Sequence, residues 1–309
     1  MASLEMVDLV GVGLNATDTV VSLGAFPAAG SKVEFQNAYV LPGGMVATTV
    51  MACRHWGLTT RYVGKLGEDA AGELHRAEFA RIGVESRAIP VAGCDSQQSV
   101  ILVDGSGERT VLWKRDGRLT LKAEELDREW IVNARALHVD GYDTGAAVQA
   151  AKWARAARIP VVADLDDIYV GVEELLPLID YLIVSRDFPL RLTSERELLA
   201  ALKTMQERYG AKLAAATLGP EGVLAWDGAE WHYCRAYRVP VVDTTGAGDV
   251  FHAGFLYGLL REWEMDRTLN FACAAAALNC TAIGARGGIV GLETIEELMA
   301  TGERYAAAF

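Results

Sequence analysis

Short β-rich runs alternate with helix-patterned segments along most of this 309-residue chain, and that alternation restricts the fold more than any single motif. The runs are "MVDLVGVG", "TTRYVGKL", "ALHVD", "IPVVADL", "YLIVS" and "KLAAATLG". Between them lie helical patterns at about Gly44 to Trp56, Asp69 to Arg81, Gly145 to Ala157 and Ser194 to Tyr209. Strand, helix, strand at this spacing predicts parallel pairing through right-handed crossovers. The expected fold class is α/β, a doubly wound, mostly parallel sheet flanked by helices. With 51% of residues apolar, the length suffices for one large domain spanning 1–309.

Two regions break the rhythm. Residues 15–40 and 86–115 alternate polar and apolar positions at period two, and "DGSGER" between two such runs is a hairpin signal. These predict antiparallel strands of a small sheet projecting from the main body. Composition does not separate a lid from a sheet extension or a dimer surface. No internal repeat or long linker is evident.

The net charge of −12 argues against a broad basic surface for nucleic acid or anionic lipid, so an anionic ligand must be held by local groups. A small-molecule site is favoured. The start, "MASLEMVDLVGVG", lacks a basic segment before a long apolar one, and no run approaches 18 uncharged apolar residues. Neither a signal peptide nor a membrane span is expected, and the chain reads as cytoplasmic. Five scattered cysteines without a CxxC fit free thiols in a reducing compartment, with Cys273 and Cys280 as core residues.

The segment "VVDTTGAGDVFHAGFLYGLL" (241–260) follows the strand-like "YRVPVVD" and opens a helix near Gly246 to Asp249. The first amides of a helix lack intrahelical partners and carry partial positive charge, so an anion fits there. Gly246 and Gly248 let it approach the backbone. Asp249 has two readings: a first-turn acid that complements the helix dipole, or a base that takes a proton from a hydroxyl attacking a bound phosphoryl group. In the second reading the same turn supplies base and anion hole. A second glycine turn, "TLGPEGVLAW" (217–226), reads as a hairpin beside the first turn, at the carboxyl ends of parallel strands where ligands bind.

Taken together, "LNATD", "PGGMVATTVMACRHWG" (42–57), "VGKLGEDAAGE" (63–73), "TLGPEG" and, most specifically, "DTTGAGDVFHAGF" resemble the ribokinase-like (PfkB) carbohydrate and nucleoside kinases nearly end to end. The resemblance implies an α/β sandwich with a β lid, and ATP and Mg2+ as phosphoryl donor and metal. It makes Asp249 the catalytic base and Gly246, Ala247 and Gly248 the anion hole. Thr217, Gly219 and Gly222 would border the nucleotide. Asp18 would accept hydrogen bonds from sugar hydroxyls, although a turn acid is the plainer reading. Gly43 and Gly44 would let substrate lie against backbone, Thr48 would stand where relatives carry asparagine, and Arg109 on the lid would reach phosphate or substrate. The loop "GARGGIVG" (284–291) with Asp243 and Thr245 resembles a monovalent-cation site, implying K+ dependence.

One departure concerns the Asn-x-x-Glu motif that organises magnesium in many relatives. Here the stretch is "SRDFPL", with Ser185 and Phe188 in those places, leaving Asp187 or Glu221 to act through water. For the acceptor, "WKRDGR" offers Lys114, Arg115 and Arg118, and Lys32 adds a fourth cation; these either hold a phosphorylated sugar or form a solvated strand exit. "SRD" and "GIV" resemble ketohexokinase-like members. A neutral ketohexose or pentose is expected first and an anionic sugar second. A nucleoside is third, because the lid shows no aromatic cluster beyond Trp113, Tyr39 and Phe35. The lid strands are expected to support a homodimer.

Rival readings remain. "GVGLNA", Gly11 to Ala16, with Glu34 about twenty residues on, satisfies a relaxed dinucleotide fingerprint and would make the chain an NAD-dependent oxidoreductase. That fingerprint needs a helix after the glycines, whereas "TDTVVSLGAFP" is β-branched. A noncatalytic sugar or nucleotide sensor is the third class. His138 and His252 are expected to be packed, and His138 with Asp140 lacks the serine turn a hydrolase triad needs.

Overall fold

The computed structural model describes residues 4–105 and 109–309. Among these, the strands are β1 (Val7–Val12), β2 (Ala16–Ser22), β3 (Asn37–Gly43), β4 (Thr60–Gly67), β5 (Glu85–Val91), β6 (Gln98–Val103), β7 (Arg109–Lys114), β8 (Ala134–Val139), β9 (Val161–Leu165), β10 (Tyr181–Ser185), β11 (Leu213–Thr217), β12 (Val223–Trp226) and β13 (Trp231–Cys234). The helices are α1 (Met45–His55), α2 (Ala70–Ile82), α3 (Arg128–Val132), α4 (Thr144–Ala156), α5 (Val172–Leu175), α6 (Asp187–Thr193), α7 (Leu198–Tyr209), α8 (Ala247–Leu260), α9 (Met265–Asn279) and α10 (Leu292–Thr301).

Nine strands form the main sheet in the order β13-β12-β11-β10-β9-β8-β1-β4-β5, parallel from β11 to β5 and antiparallel at β12 and β13. Its central strands are apolar on both faces, as a sheet covered on both sides requires. Leu9, Val162, Ile183 and Ala215 point into the layer shared with α1, α8 and α9. Their chain neighbours Val10, Ala163, Leu182 and Ala214 point into the layer with α4 and α7. Helix boundaries follow local chemistry. Asp69 caps α2 by accepting from the Gly72 N–H at 2.8 Å, a contact worth about 1 kcal/mol, and Gly83 ends the helix in the left-handed region at φ 84°.

The lid is a four-stranded sheet, β3-β2-β6-β7. Its outer pairings are antiparallel, and the inner pairing of β2 with β6 is parallel. Val20, Ile101 and Val103 pack beneath it against Leu41 and Ile283. The expected hairpin tip falls partly on residues 106–108, outside the described residues, and Val103 pairs with Arg109 across it.

Four expectations need correction. Residues 85–91 join the main sheet as the parallel edge strand β5, not the lid, because they return from α2 by a crossover; an edge strand with one covered face also alternates. β3 continues to Gly43, beyond the expected lid limit at residue 40. The helix expected from Ser194 starts at Leu198, after a break at which Ser194 adopts φ 62°. "YRVPVVD" forms no strand of the sheet: Pro240 has no N–H to pair, and the amides of Val242 and Asp243 bond instead to the Cys280 carbonyl at 2.8 and 3.2 Å. The dinucleotide reading also loses its context, since β2, not a helix, follows Gly11 to Ala16.

Candidate active site

The lid and the carboxyl ends of the sheet strands enclose a cavity of about 560 Å³. The "GAGD" turn forms part of its wall. Gly246 adopts φ 75° and lies so close to the 284–291 loop that a Cβ there would meet the Ala285 carbonyl oxygen at 2.2 Å. At Gly248 a Cβ would meet nothing within 4 Å, so the backbone is open to the cavity. No side chain caps α8; the Ala247 N–H, expected in the anion hole, donates to the Thr244 carbonyl at 3.3 Å, which leaves the amides of Gly248 and Asp249 for a ligand.

Asp249 stands in that first turn and lines the same cavity. Its carboxyl is pushed up to about 8, first by burial and then by the negative charge of Asp164; His252 and Arg109 oppose the shift. A carboxyl tuned close to neutrality suits a general base. Its main-chain oxygen accepts from Thr49 Oγ1 of α1 at 3.0 Å, which ties the turn to the neighbouring helix.

Asp243 knots the turn from behind. Its Oδ1 accepts from the Thr245 N–H at 2.9 Å and the Thr245 hydroxyl at 2.7 Å, and its Oδ2 accepts from the Gly284 N–H at 2.8 Å. Asn279 Nδ2 donates to the carbonyls of Thr245 and Ala285 at 3.1 and 3.0 Å. Asp243, expected at a monovalent-cation site, thus fastens the 284–291 loop to the turn.

At the lid end, buried Asp18 on β2 lines the cavity beside Ser99. Burial raises its carboxyl to about 6, against a lowering hydrogen bond from Ser99 and the charge of Arg286. Gly43 faces Asp18 and not the cavity: a Cβ on it would lie 2.0 Å from Asp18 Oδ2. Gly44 does line the cavity, whereas Thr48 is fully buried and accepts from Arg286 Nε at 3.2 Å. Gly43 and Thr48, both expected at the substrate, lie outside the cavity lining and border Asp18 and Arg286, which places them one layer behind it. Arg109 lines the cavity from the lid and is exposed.

Thr217, Gly219 and Gly222 come together on a second cavity of about 230 Å³. It shares Thr217, Thr244, Ala247 and Gly248 with the first, and Val239, Val241 and Phe251 make it apolar. The residues that failed to form a strand thereby wall a slot suited to a flat ring, with the open turn at its inner end.

The substituted magnesium motif behaves differently at its two ends. Ser185 lines the main cavity, but Phe188 is buried in the core. Asp187 begins α6 away from the cavity lining, and Glu221 pairs with Arg186 at 2.7 Å. Sequence reasoning missed the carboxylates that do face the cavity here, Asp164 and Asp166 at the end of β9. The signal was present in "ADLDD", acids at the carboxyl end of a buried parallel strand. Burial and the charges of Asp166 and Asp140 hold the Asp164 carboxyl well above the usual range. Such a set of hard oxygen donors fits a divalent cation such as Mg2+. Also missed were Arg286 and the cavity-lining Tyr142 and Tyr169.

The cations expected for a phosphorylated acceptor are engaged elsewhere. Lys114 lies 3.4 Å from Asp95, Arg115 2.6 Å from Asp143 and Arg118 2.6 Å from Asp116. Lys32 is exposed and outside the cavity lining. His138 and His252 are buried, their rings 5.6 Å apart; His252 also reaches the cavity wall.

The family model described as "pfkB family carbohydrate kinase" matches residues 6–290. An acarbose 7(IV)-phosphotransferase from Actinoplanes sp. is 29% identical over 93% of this chain and 96% of its own length. A ribokinase from Haemophilus influenzae is 26% identical over 94% and 98%. Among solved structures, a ribokinase-like protein from Agrobacterium tumefaciens superposes with a TM-score of 0.89 at 27% identity, covering 96% of this chain and 98% of that one. The chain belongs to the pfkB family of carbohydrate kinases, phosphotransferases with an alcohol group as acceptor.

Proposed function

We propose that the protein transfers the γ-phosphoryl group of ATP to a hydroxyl of a neutral carbohydrate, on a ketohexose or pentose ring, with Asp249 as general base. The observation that carries this reading is the position of Asp249: in the first turn of an uncapped helix, beside the open backbone of Gly248, where two cavities meet. Asp249 takes the proton from the attacking hydroxyl as its oxygen bonds to the γ-phosphorus and the bond to the β–γ bridging oxygen breaks, releasing ADP. The amides of Gly248 and Asp249 face the charge that develops on the transferred group, while that of Ala247 is held by the Thr244 carbonyl. The apolar slot beside Thr217, Gly219 and Gly222 receives the adenine. Asp164 and Asp166 would hold Mg2+, which supplies charge neutralisation on the phosphoryl oxygens.

A neutral acceptor follows from charge. Among the described residues lining the main cavity, Arg109 is the one Lys or Arg, and it stands among the carboxyl groups of Asp18, Asp164, Asp166, Asp167 and Asp249, of which Asp167 is paired with Arg191 at 2.6 Å. A second phosphate on the acceptor would find no further cation there. The test is ADP release with Mg2+ and ATP across neutral sugars, phosphosugars and nucleosides. Asp249→Asn should lose roughly 10²- to 10⁴-fold in turnover while retaining ATP binding. Turnover that survives the substitution removes the base from its role, and ATP binding without turnover on any acceptor favours a sensor.

Two further parts of the reading have their own tests. K+ acts through the Asp243 and 284–291 region, and equal rates in K+ and tetramethylammonium would withdraw it alone. A second copy covers the outer face of the lid, where Val40, Val100 and Leu112 stand 64%, 39% and 56% exposed in adjoining register; a monomer in sedimentation equilibrium rejects that. The proposed place of action is the cytoplasm, and among the described residues no helix is long and apolar enough to cross a membrane.

A further inference from the structure

We infer that the natural acceptor carries a second ring, and that Trp113, Tyr142 and Tyr169 form an aromatic shelf on which that ring stacks. This rests on the kinase reading above and narrows its substrate class.

The three side chains come from distant segments. Trp113 is on lid strand β7, Tyr142 follows β8 and Tyr169 follows β9, and all three line the main cavity. Their rings form a continuous run: Trp113 to Tyr142 at 6.0 Å and 84°, then Tyr142 to Tyr169 at 5.1 Å and 57°. The shelf is held from behind. Arg115 lies over the Tyr142 ring at 4.7 Å and is itself fixed on Asp143 by two hydrogen bonds of 2.8 and 2.6 Å. The Tyr169 hydroxyl donates to Asp166 Oδ1 at 2.5 Å. Rings braced in this way lose little freedom when a ligand covers them.

The shelf is separate from the nucleotide slot, since none of the three rings lines the smaller cavity. Tyr142 leaves the sheet at β8, three strands from Thr217 on β11, which at strand spacing is roughly 14 Å. It is also more than one sugar ring needs. Hydroxyl recognition belongs to the carboxylates Asp18 and Asp249, while Trp113 remains 59% exposed beside them. An exposed aromatic in a cavity rimmed by polar groups marks a place for an apolar ring face. With Arg109 the one Lys or Arg among the described residues lining the cavity, that ring is neutral or cationic. A pyranose or furanose unit and a heteroaromatic base share this chemistry.

Matched probes distinguish the two sources: D-fructose against sucrose, and D-ribose against adenosine, each pair sharing one ring. Calorimetric titration would use the wild type, Trp113→Ala, Tyr142→Ala and Tyr142→Phe, with melting curves confirming that each variant folds. A two-ring probe should bind at least tenfold tighter than its one-ring partner. Each alanine substitution should cost it roughly 10- to 100-fold, the range of base–aromatic stacking, while Tyr142→Phe costs little. One-ring binding should change less than threefold. A gain for sucrose assigns the second ring to a sugar, and a gain for adenosine that Trp113→Ala or Tyr142→Ala removes assigns it to a base, whereas an adenosine gain that both substitutions leave intact reports the adenine slot and counts against the shelf. Equal losses for one-ring and two-ring probes would make the shelf a clamp between lid and body and overturn the inference. So would tighter binding of the one-ring partner in both pairs, or no binding of either two-ring probe. The kinase reading fails separately, through ADP release that is indifferent to Asp249→Asn.

Discussion

His252 Nδ1 lies 3.2 Å from Asp164 Oδ2 and 2.8 Å from the Gly248 carbonyl, so one buried imidazole joins the end of β9 to the first turn of α8. The contact brings Asp164 close enough for its charge to be the second largest cause, after burial, of the raised Asp249 carboxyl. Asp164→Asn removes that like charge. The ascending limb of the kcat/KM pH profile, set by a group near 8, should move to lower pH by about one unit, the size expected for one nearby charge. It should not return to the ordinary carboxylate range, because burial remains. Turnover should fall as well through loss of a Mg2+ ligand, so the position of the limb, not its height, reports the coupling. An unmoved limb would contradict it.

Asp249 also sets a conflict between activity and stability. Its carboxyl is at about 8 in the fold against 3.8 for the free group. A carboxyl raised on folding contributes stability that is fully present below the unfolded value and lost as pH rises through the folded one. The wild type should therefore weaken between about pH 4 and pH 8 on account of this group. Asp249→Asn cannot ionise and should melt about 3 °C or more above the wild type at pH 8.5, with a gap less than about half as large at pH 5. Differential scanning calorimetry at the two values checks it, and a gap that is larger at pH 5 would reverse the sign.

Gly43 and Asp18 allow a test confined to the acceptor. A Cβ on Gly43 would lie 2.0 Å from Asp18 Oδ2, so Gly43→Ala must displace the carboxylate. The acceptor KM should rise about tenfold or more, while the KM for ATP changes less than threefold, because the nucleotide slot shares none of these atoms. Steady-state kinetics with each substrate varied in turn would show it. An unchanged acceptor KM would remove Asp18 from hydroxyl recognition.

How much of this was legible in the sequence depended on the range of the forces involved. The strands β1, β4, β8, β9, β10 and β11 were readable because a doubly covered parallel strand is a mainly apolar run, with polar residues such as Arg61, Lys65 and Arg135 as interruptions. The "GAGD" turn was readable because an anion-binding helix start needs particular residues in a row. Residues 85–91 misled because an edge strand and a lid strand alternate alike, and only the crossover from α2 tells them apart. Tyr142 and Tyr169 were invisible as a pair: they lie 27 positions apart, and neighbouring strand ends bring their rings to 5.1 Å. Asp164 and Arg286 were missed because their partners, His252 and Glu78, are distant in the chain.

Arg286 is the missed residue with the largest structural consequence. It donates to the Gly43 carbonyl at 2.7 Å and to Thr48 Oγ1 at 3.2 Å, and it pairs with Glu78. Three segments of chain, at the end of β3, on α1 and on α2, thus meet at one guanidinium held by the 284–291 loop. Arg286→Met leaves Glu78 with only the exposed Arg81, 3.8 Å away on the same helix, and takes the guanidinium donor from the Gly43 carbonyl. Breaking a buried pair from one side costs about 3–5 kcal/mol, and the 17% exposure of the Glu78 side chain places this case at or below the lower end. Adding Glu78→Leu should return a large part of that loss, because the stranded charge is then gone. Catalytic recovery should be poorer than recovery of stability, since the Gly43 carbonyl stays unpaired beside Asp18. Urea unfolding of the single and double variants measures the first, and the acceptor KM measures the second. A double variant as unstable as Arg286→Met alone would show that the guanidinium acts through packing and its bonds to backbone, with no separate cost from the stranded Glu78.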